Sequence, residues 1–150
     1  MKVHRLEREQ FLSHPVEKVF AFFTDAYNLE RITPPQLRFR VLTPGPIELR
    51  AGSLIEYRLH LHGLPLDWLT QIEQWELDVG FVDNQLAGPY RLWHHTHSFE
   101  ARDGGTFMRD LVRYALPAWP LGELGRALVS HELATIFDFR REAVEGLLAS

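Results

Sequence analysis

The sequence predicts an α+β domain in which a curved antiparallel sheet of seven strands wraps around one long C-terminal helix. Three observations carry that expectation. From residue 37 to residue 116 the apolar residues recur with a period of two, broken by turns rich in glycine and proline, as in successive half-buried strands. Residues 121–148 contain no proline and carry a broad apolar stripe, as in a long amphipathic helix. Helical spacing occurs elsewhere only just after the first strand, so strands and helices do not alternate as they would around a parallel sheet.

Residues 3–12 mix charged and apolar side chains in a plausible first strand. His14-Pro15-Val16-Glu17 then reads as a helix start, with Pro15 suited to the first helical position and Glu17 in the first turn, where the helix dipole favours a negative charge. Val16, Val19, Phe20 and Phe23 form its apolar face, and the helix is expected to end near Thr24-Asp25. A second short helix is expected over Leu29–Ile32, stopped by Pro34-Pro35.

From Leu37 to Val41 the period changes to two, and Thr43-Pro44-Gly45-Pro46 closes that strand. Ile55, Tyr57, Leu59 and Leu61 alternate with Glu56, Arg58, His60 and His62 in the clearest amphipathic strand, which turns at Gly63-Leu64-Pro65. Further strands are expected over residues 67–77, 81–86, 91–101 and 106–116, punctuated by Gly80, Gly88-Pro89 and Asp103-Gly104-Gly105. The final helix, running through Leu124, Leu128, Leu133, Ile136, Phe137, Val144 and Leu147, would be about 40 Å long. The concave face of the sheet is the one surface large enough to receive it.

Composition narrows the function. At 150 residues the chain fits one domain, 1–150, with one core. The absence of cysteine excludes a disulfide framework, thiol catalysis and thiolate zinc sites. Net charge is -4 with scattered basic residues, which argues against a nucleic-acid partner. The N-terminal residues alternate in charge and do not read as a signal peptide, and no stretch is long enough to span a bilayer, so a cytoplasmic location is expected. The sequence leaves room for a homodimer.

Parity locates the candidate site. A two-residue loop within Asp103-Gly104-Gly105-Thr106 puts odd residues of the incoming strand on the same face as even residues of the outgoing one. Trp93, His95, His97 and Phe99 then share a face with Met108, Asp110, Val112, Tyr114 and Leu116, the more apolar set, expected to face the helix. A carboxylate there must be paired, and a His97–Asp110 contact is the expected solution. Such a pair could serve acid–base catalysis, tie two strands together or orient a ligand; no nucleophile accompanies it. Tyr57 and Leu59 are expected to complete the ligand-binding wall with Trp93, His95, His97, Phe99, Asp110, Val112 and Tyr114. His95 and His97 could chelate, but no carboxylate stands at metal-site spacing, so neither a metal nor another cofactor is expected. His60 and His62, on the polar face of their strand, are expected in solvent.

The element order, with the segments His14–Phe20, Leu29–Pro35 and Phe81–Gln85 followed by Gly88-Pro89-Tyr90, Trp93, His95, His97 and Phe99, resembles the helix-grip fold of the START and birch-pollen-allergen-like superfamily, SRPBCC, and within it a small bacterial polyketide cyclase-like branch. That resemblance implies a pocket between sheet and long helix, of roughly a few hundred Å³, for a small hydrophobic or amphipathic ligand such as a lipid, polyketide or aromatic metabolite. It also admits a cyclase or lyase-like enzyme using His97 and Asp110, or an auxiliary interaction protein with a vestigial pocket.

Overall fold

The computed structural model describes residues 1–149. A seven-stranded antiparallel sheet runs in the order β1-β7-β6-β5-β4-β3-β2, formed by β1 (His4–Leu12), β2 (Arg40–Val41), β3 (Leu54–Leu61), β4 (Leu64–Glu76), β5 (Gly80–Ala87), β6 (Leu92–Arg102) and β7 (Gly105–Ala115). The first and last strands pair, so the chain must cross from one sheet edge to the other between β1 and β2. Helix α1 (Val16–Phe23) and two single 3-10 turns, Ala26–Glu30 and Pro35–Leu37, make that crossing. The chain ends in a 3-10 turn, Leu121–Gly125, and the 24-residue helix α2 (Arg126–Ala149). This is the helix-grip architecture.

Local chemistry explains the departures from the expected boundaries. Asp25 accepts a hydrogen bond from the Tyr27 N–H at 3.1 Å and starts the second short helix before Leu29. Pro34-Pro35 does not merely end it: proline suits a first helical turn, and a new 3-10 turn begins there. Arg38, at φ 46°, then takes the left-handed conformation, which breaks the extended run expected from Leu37 and leaves only Arg40–Val41 as strand. The turn after β3 is His62–Gly63, with Leu61 paired to Leu64, so Leu64 and Pro65 belong to β4.

The C-terminal helix also differs in its face. Leu133, Phe137, Val144 and Leu148 are buried, whereas Leu124 and Leu128 are 86% and 56% exposed. Leu124 lies in the 3-10 turn, whose tighter winding takes it off the α-helical stripe. Leu128 is five residues before Leu133, about 140° away at about 100° per residue.

Two register shifts in the β4–β5 pairing, between Leu69 and Thr70 and between Ile72 and Gln74, bend the sheet around α2. Beneath α1 the core is aromatic: Phe20 packs edge-on against Trp75, Phe81 and Phe99 at centroid distances of 5.1–6.2 Å. A second cluster joins Trp93, Val112, Tyr114, Leu133 and Phe137.

The β6–β7 turn settles the parity argument. Arg102 pairs with Gly105, the loop is Asp103-Gly104, and both residues have positive φ, 51° and 76°. Trp93, His95, His97 and Phe99 therefore stand opposite Tyr114, Val112, Asp110 and Met108, and all eight are buried. A Cβ on Gly104 would meet nothing within 4 Å, so a substitution there is penalised by backbone conformation alone. Gly104→Ala is expected to lower stability by about 1–2 kcal/mol in urea denaturation, without altering the interior.

Candidate functional site

At the centre of the concave face, β5, β6 and β7 bring four ionisable side chains together. Asp83 stands opposite His95 on the β5–β6 ladder, and Asp110 stands opposite His97 on the β6–β7 ladder. The hydrogen bonds run diagonally. His95 Nε2 donates to Asp110 Oδ1 at 2.8 Å, and His97 Nε2 donates to Asp83 Oδ2 at 2.5 Å. The expected His97–Asp110 pair is present only as a 3.4 Å contact through Nδ1, because the two imidazoles stack at 3.6 Å and present different edges to the two carboxylates. Phe81 stacks on His97 from the other side at 4.1 Å.

Arg140 of α2 adds a guanidinium that interacts electrostatically with both carboxylates and lies 5.0 Å over the Phe137 ring. The charges set each group's proton affinity. Burial pushes the Asp83 carboxyl up, but His95, His97 and Arg140 outweigh it and hold it below its ordinary range. For Asp110, burial is likewise overcome by His95, His97 and Arg140. His97 goes down, because burial and the neighbouring His95 outweigh the pull of Asp83 and Asp110.

A cavity of about 150 Å³ opens beside this cluster, between β3–β6 and α2. Of the nine residues expected to line it, Tyr57, Leu59, Trp93, His95 and His97 do so. Four do not. Phe99 is taken up by the Phe20 and Phe23 packing, and Val112 and Tyr114 by the cluster around Trp93. Asp110 lies behind the histidines, beside a smaller crevice under Arg8 and Arg140. The shared face of β6 and β7 is thus real, but β7 sits nearer the sheet edge, where side chains pack against α2 and β1 rather than border open space. The cavity is smaller than the expected few hundred Å³, since Trp68, Tyr90 and Trp93 pack together and fill one end.

Sequence reasoning missed Trp68, Thr70, Asp83, Tyr90 and Arg140 in this wall. Arg140 was legible: Leu133, Phe137, Arg140 and Val144 succeed one another at spacings of three and four on one helix face. Asp83 was not, because the connection from β5 to β6 is too long to transmit parity. His62 is exposed, as expected, and its Nε2 lies 2.8 Å from Glu132 Oε1 of α2, a residue of the cavity wall. Tyr57 is hydrogen-bonded to Thr70, and burial, reinforced by Asp83, pushes its phenol up.

Asp83, His95 and His97 offer ligand atoms within 4.8 Å of one another, the donor types of a divalent metal site. Their orientation favours hydrogen bonding. Rings stacked at 3.6 Å and tilted by 27° direct their in-plane lone pairs side by side, whereas an ion about 2.1 Å from both nitrogens needs them to converge.

Comparison with known proteins agrees with this geometry. Residues 12–135 match the family described as polyketide cyclase / dehydrase and lipid transport. The chain belongs to that family. Its cavity lies between the sheet and the C-terminal helix. A Thermus thermophilus protein of similar structure shares 19% identity over 97% of both chains with a TM-score of 0.75. The Zhui aromatase/cyclase of a Streptomyces species is 15% identical with a TM-score of 0.76, over 99% of this chain and 94% of its own. A START superfamily protein of Mycobacterium smegmatis is 12% identical with a TM-score of 0.70, over 97% of both chains. No curated protein matches the sequence significantly. No helix among the described residues is long and apolar enough to cross a membrane.

Three expectations test the cluster. Asp110→Asn removes the charge that His95 Nε2 addresses and is expected to cost about 1–3 kcal/mol at pH 7, read by urea denaturation. Because the folded pKa of His97 lies below its unfolded value, the unfolded chain takes up a proton that the folded one refuses as pH falls. Stability should therefore decline from pH 7 to pH 5, and His97→Gln should flatten that decline; an equally steep profile in the variant would mean that His97 does not titrate as described. Elemental analysis of untagged protein is expected to find far less than one equivalent of zinc, iron or nickel.

Proposed function

We propose that the protein binds a small amphipathic molecule, with its apolar body among Tyr57, Leu59, Trp68 and Trp93 and its polar end toward Asp83, His95 and His97. One observation carries this reading: an unfilled cavity with aromatic and aliphatic walls ends on a buried, hydrogen-bonded histidine pair. A site serving only to tie strands together would be expected to close over its polar groups. The family description, which spans lipid transport as well as cyclase and dehydrase activity, is consistent with it.

A second reading rests on the hydrogen bonds themselves. Each imidazole has a carboxylate that fixes its orientation, the arrangement required for proton transfer to or from a bound molecule. Under this reading His97 and His95 would exchange the proton, Asp83 and Asp110 would act through them, and the reaction would be of the cyclase or dehydrase type. The notion of an interaction protein with a vestigial pocket has less support, since the cavity is not collapsed. We take the protein to act in the cytoplasm, as a monomer or homodimer, without a nucleic-acid partner.

Titration calorimetry with α-methylstyrene, a single-ring hydrocarbon, tests the binding reading. Saturable binding is expected in the wild type, and Leu59→Trp, which fills the cavity with a larger ring, should abolish it while the fold is retained by circular dichroism. Undiminished binding in that variant would place the ligand elsewhere.

A further inference from the structure

The connection from β7 to α2 carries its apolar side chains outward. Trp119 and Leu121 are 53% and 72% exposed, and Leu124 and Leu128 stand in solvent with them. Leu121 and Leu124, three residues apart in a 3-10 turn, lie above one another on one edge, and Leu128 follows about one turn further on, in α2. The segment is held firmly. The Gly122 N–H donates to the Ala118 carbonyl at 2.9 Å, and the Glu123 N–H donates to the Pro120 carbonyl at 3.1 Å. A Cβ on Gly122 would meet the Pro117 carbonyl oxygen at 1.8 Å, and Glu123 Oε1 is tied to His4 Nε2 of β1 at 2.8 Å. A turn pinned this way, with four large apolar side chains outside, presents a surface for something to cover.

Charge identifies what covers it. The protein carries -4 overall, yet the chain around this turn is basic. Residues 1–6, 90–94 and 111–128, joined at this end of the sheet by the β1–β7 and β6–β7 pairings, hold Lys2, Arg5, Arg91, Arg113 and Arg126 against one acid, Glu123. Arg5 pairs with Arg113 across the strands, the Arg91 N–H donates to the Ala115 carbonyl four residues before Trp119, and Arg126 stands between Leu124 and Leu128. All five are exposed. Arg5 has Glu7 beside it, whereas Lys2, Arg91, Arg113 and Arg126 pair with no carboxylate among the described residues. Apolar tips flanked by cations match the interface of an anionic bilayer, where leucines enter the acyl boundary, tryptophan sits at headgroup depth and Lys and Arg meet the lipid charges. A projecting turn suits a protein partner less, since a stable interface takes roughly 800 Å² from each side.

We infer that this turn docks the protein on a membrane surface containing anionic lipid, with Leu121, Leu124 and Leu128 in the outer acyl region, Trp119 among the headgroups, and Lys2, Arg91, Arg113 and Arg126 against the lipid charges. The cavity wall reaches the same end of the molecule through Tyr90, next to Arg91, and Glu132, one turn beyond Leu128, so docking brings a bilayer alongside the site. The docking itself does not depend on what the cavity binds.

Vesicles of phosphatidylcholine with about 30% phosphatidylserine, and of phosphatidylcholine alone, are the probes. In flotation assays at about 0.1 M salt, the wild type is expected to partition about tenfold or more better onto the anionic vesicles, and to be released as salt rises to about 0.5 M. Leu121→Ser/Leu124→Ser and Arg91→Glu/Arg126→Glu, all at exposed positions, should each weaken that partition about tenfold or more with the circular dichroism unchanged. Leu77→Ser, exposed in the β4–β5 turn at the opposite end of the sheet, should stay within about twofold of wild type. Brominated lipid should quench tryptophan fluorescence in the wild type and lose that effect in Trp119→Phe. No vesicle binding, equal binding to both compositions, or undiminished binding in either double variant would overturn the inference. So would a dimer in sedimentation equilibrium that Leu121→Ser/Leu124→Ser dissolves while no vesicle binding is seen, which would assign the patch to a second copy of this chain. None of these measurements uses a cavity ligand, so their failure leaves the binding proposal standing, and a failure of α-methylstyrene to bind leaves the docking surface standing.

Discussion

Two carboxylates lie inside the sheet, where an unpaired charge would cost several kcal/mol, and much of the interior is arranged around that constraint. Asp83 and Asp110 come from strands on either side of β6, and β6 places two imidazoles between them. Each carboxylate accepts one strong hydrogen bond from a histidine and shares the field of Arg140. The cluster therefore links three strands to the helix through charge as well as apolar packing. Removing any one member leaves its partners buried without compensation.

This arrangement also accounts for how the cavity is divided. The face of the histidine pair toward β7 is closed by Asp110, while Asp83, His95 and His97 border the open space together. Trp68, Tyr90 and Trp93 fill one end with rings in edge-on and tilted contacts, which makes the remaining volume small and firmly walled. A 2.8 Å contact of His62 Nε2 with Glu132 Oε1 links the β3–β4 turn to α2 beside the cavity. A rigid wall with few polar groups selects by the placement of those groups more than by shape.

Within the fold, bending and burial depend on each other. The register shifts in β4 and β5 curve the sheet enough to receive α2, and the helix buries Leu133, Phe137, Val144 and Leu148 in return. Arg140 interrupts that stripe between Phe137 and Val144. A long charged side chain there is tolerable because its stem covers apolar surface while its guanidinium meets the two carboxylates.

Much of this was written in the local pattern of the chain. Period-two alternation located β3 and the β6–β7 pair, the proline-free stretch located α2, and the Asp103-Gly104 turn put His95, His97 and Asp110 on one interior face. Those features follow from spacing along a single strand, helix or tight hairpin, which the sequence by itself determines. The tertiary structure alone decided which histidine met which carboxylate, that Asp83 joined them and that Asp110 lay behind the cavity. Side chains on three neighbouring strands are brought together by sheet order, bulges and ring stacking, and none of these leaves a fixed spacing in the sequence. Arg140 stands between the two cases: its helix face was readable from the i, i+3 and i+4 pattern, but its partners were set only when α2 came to rest on the curved sheet.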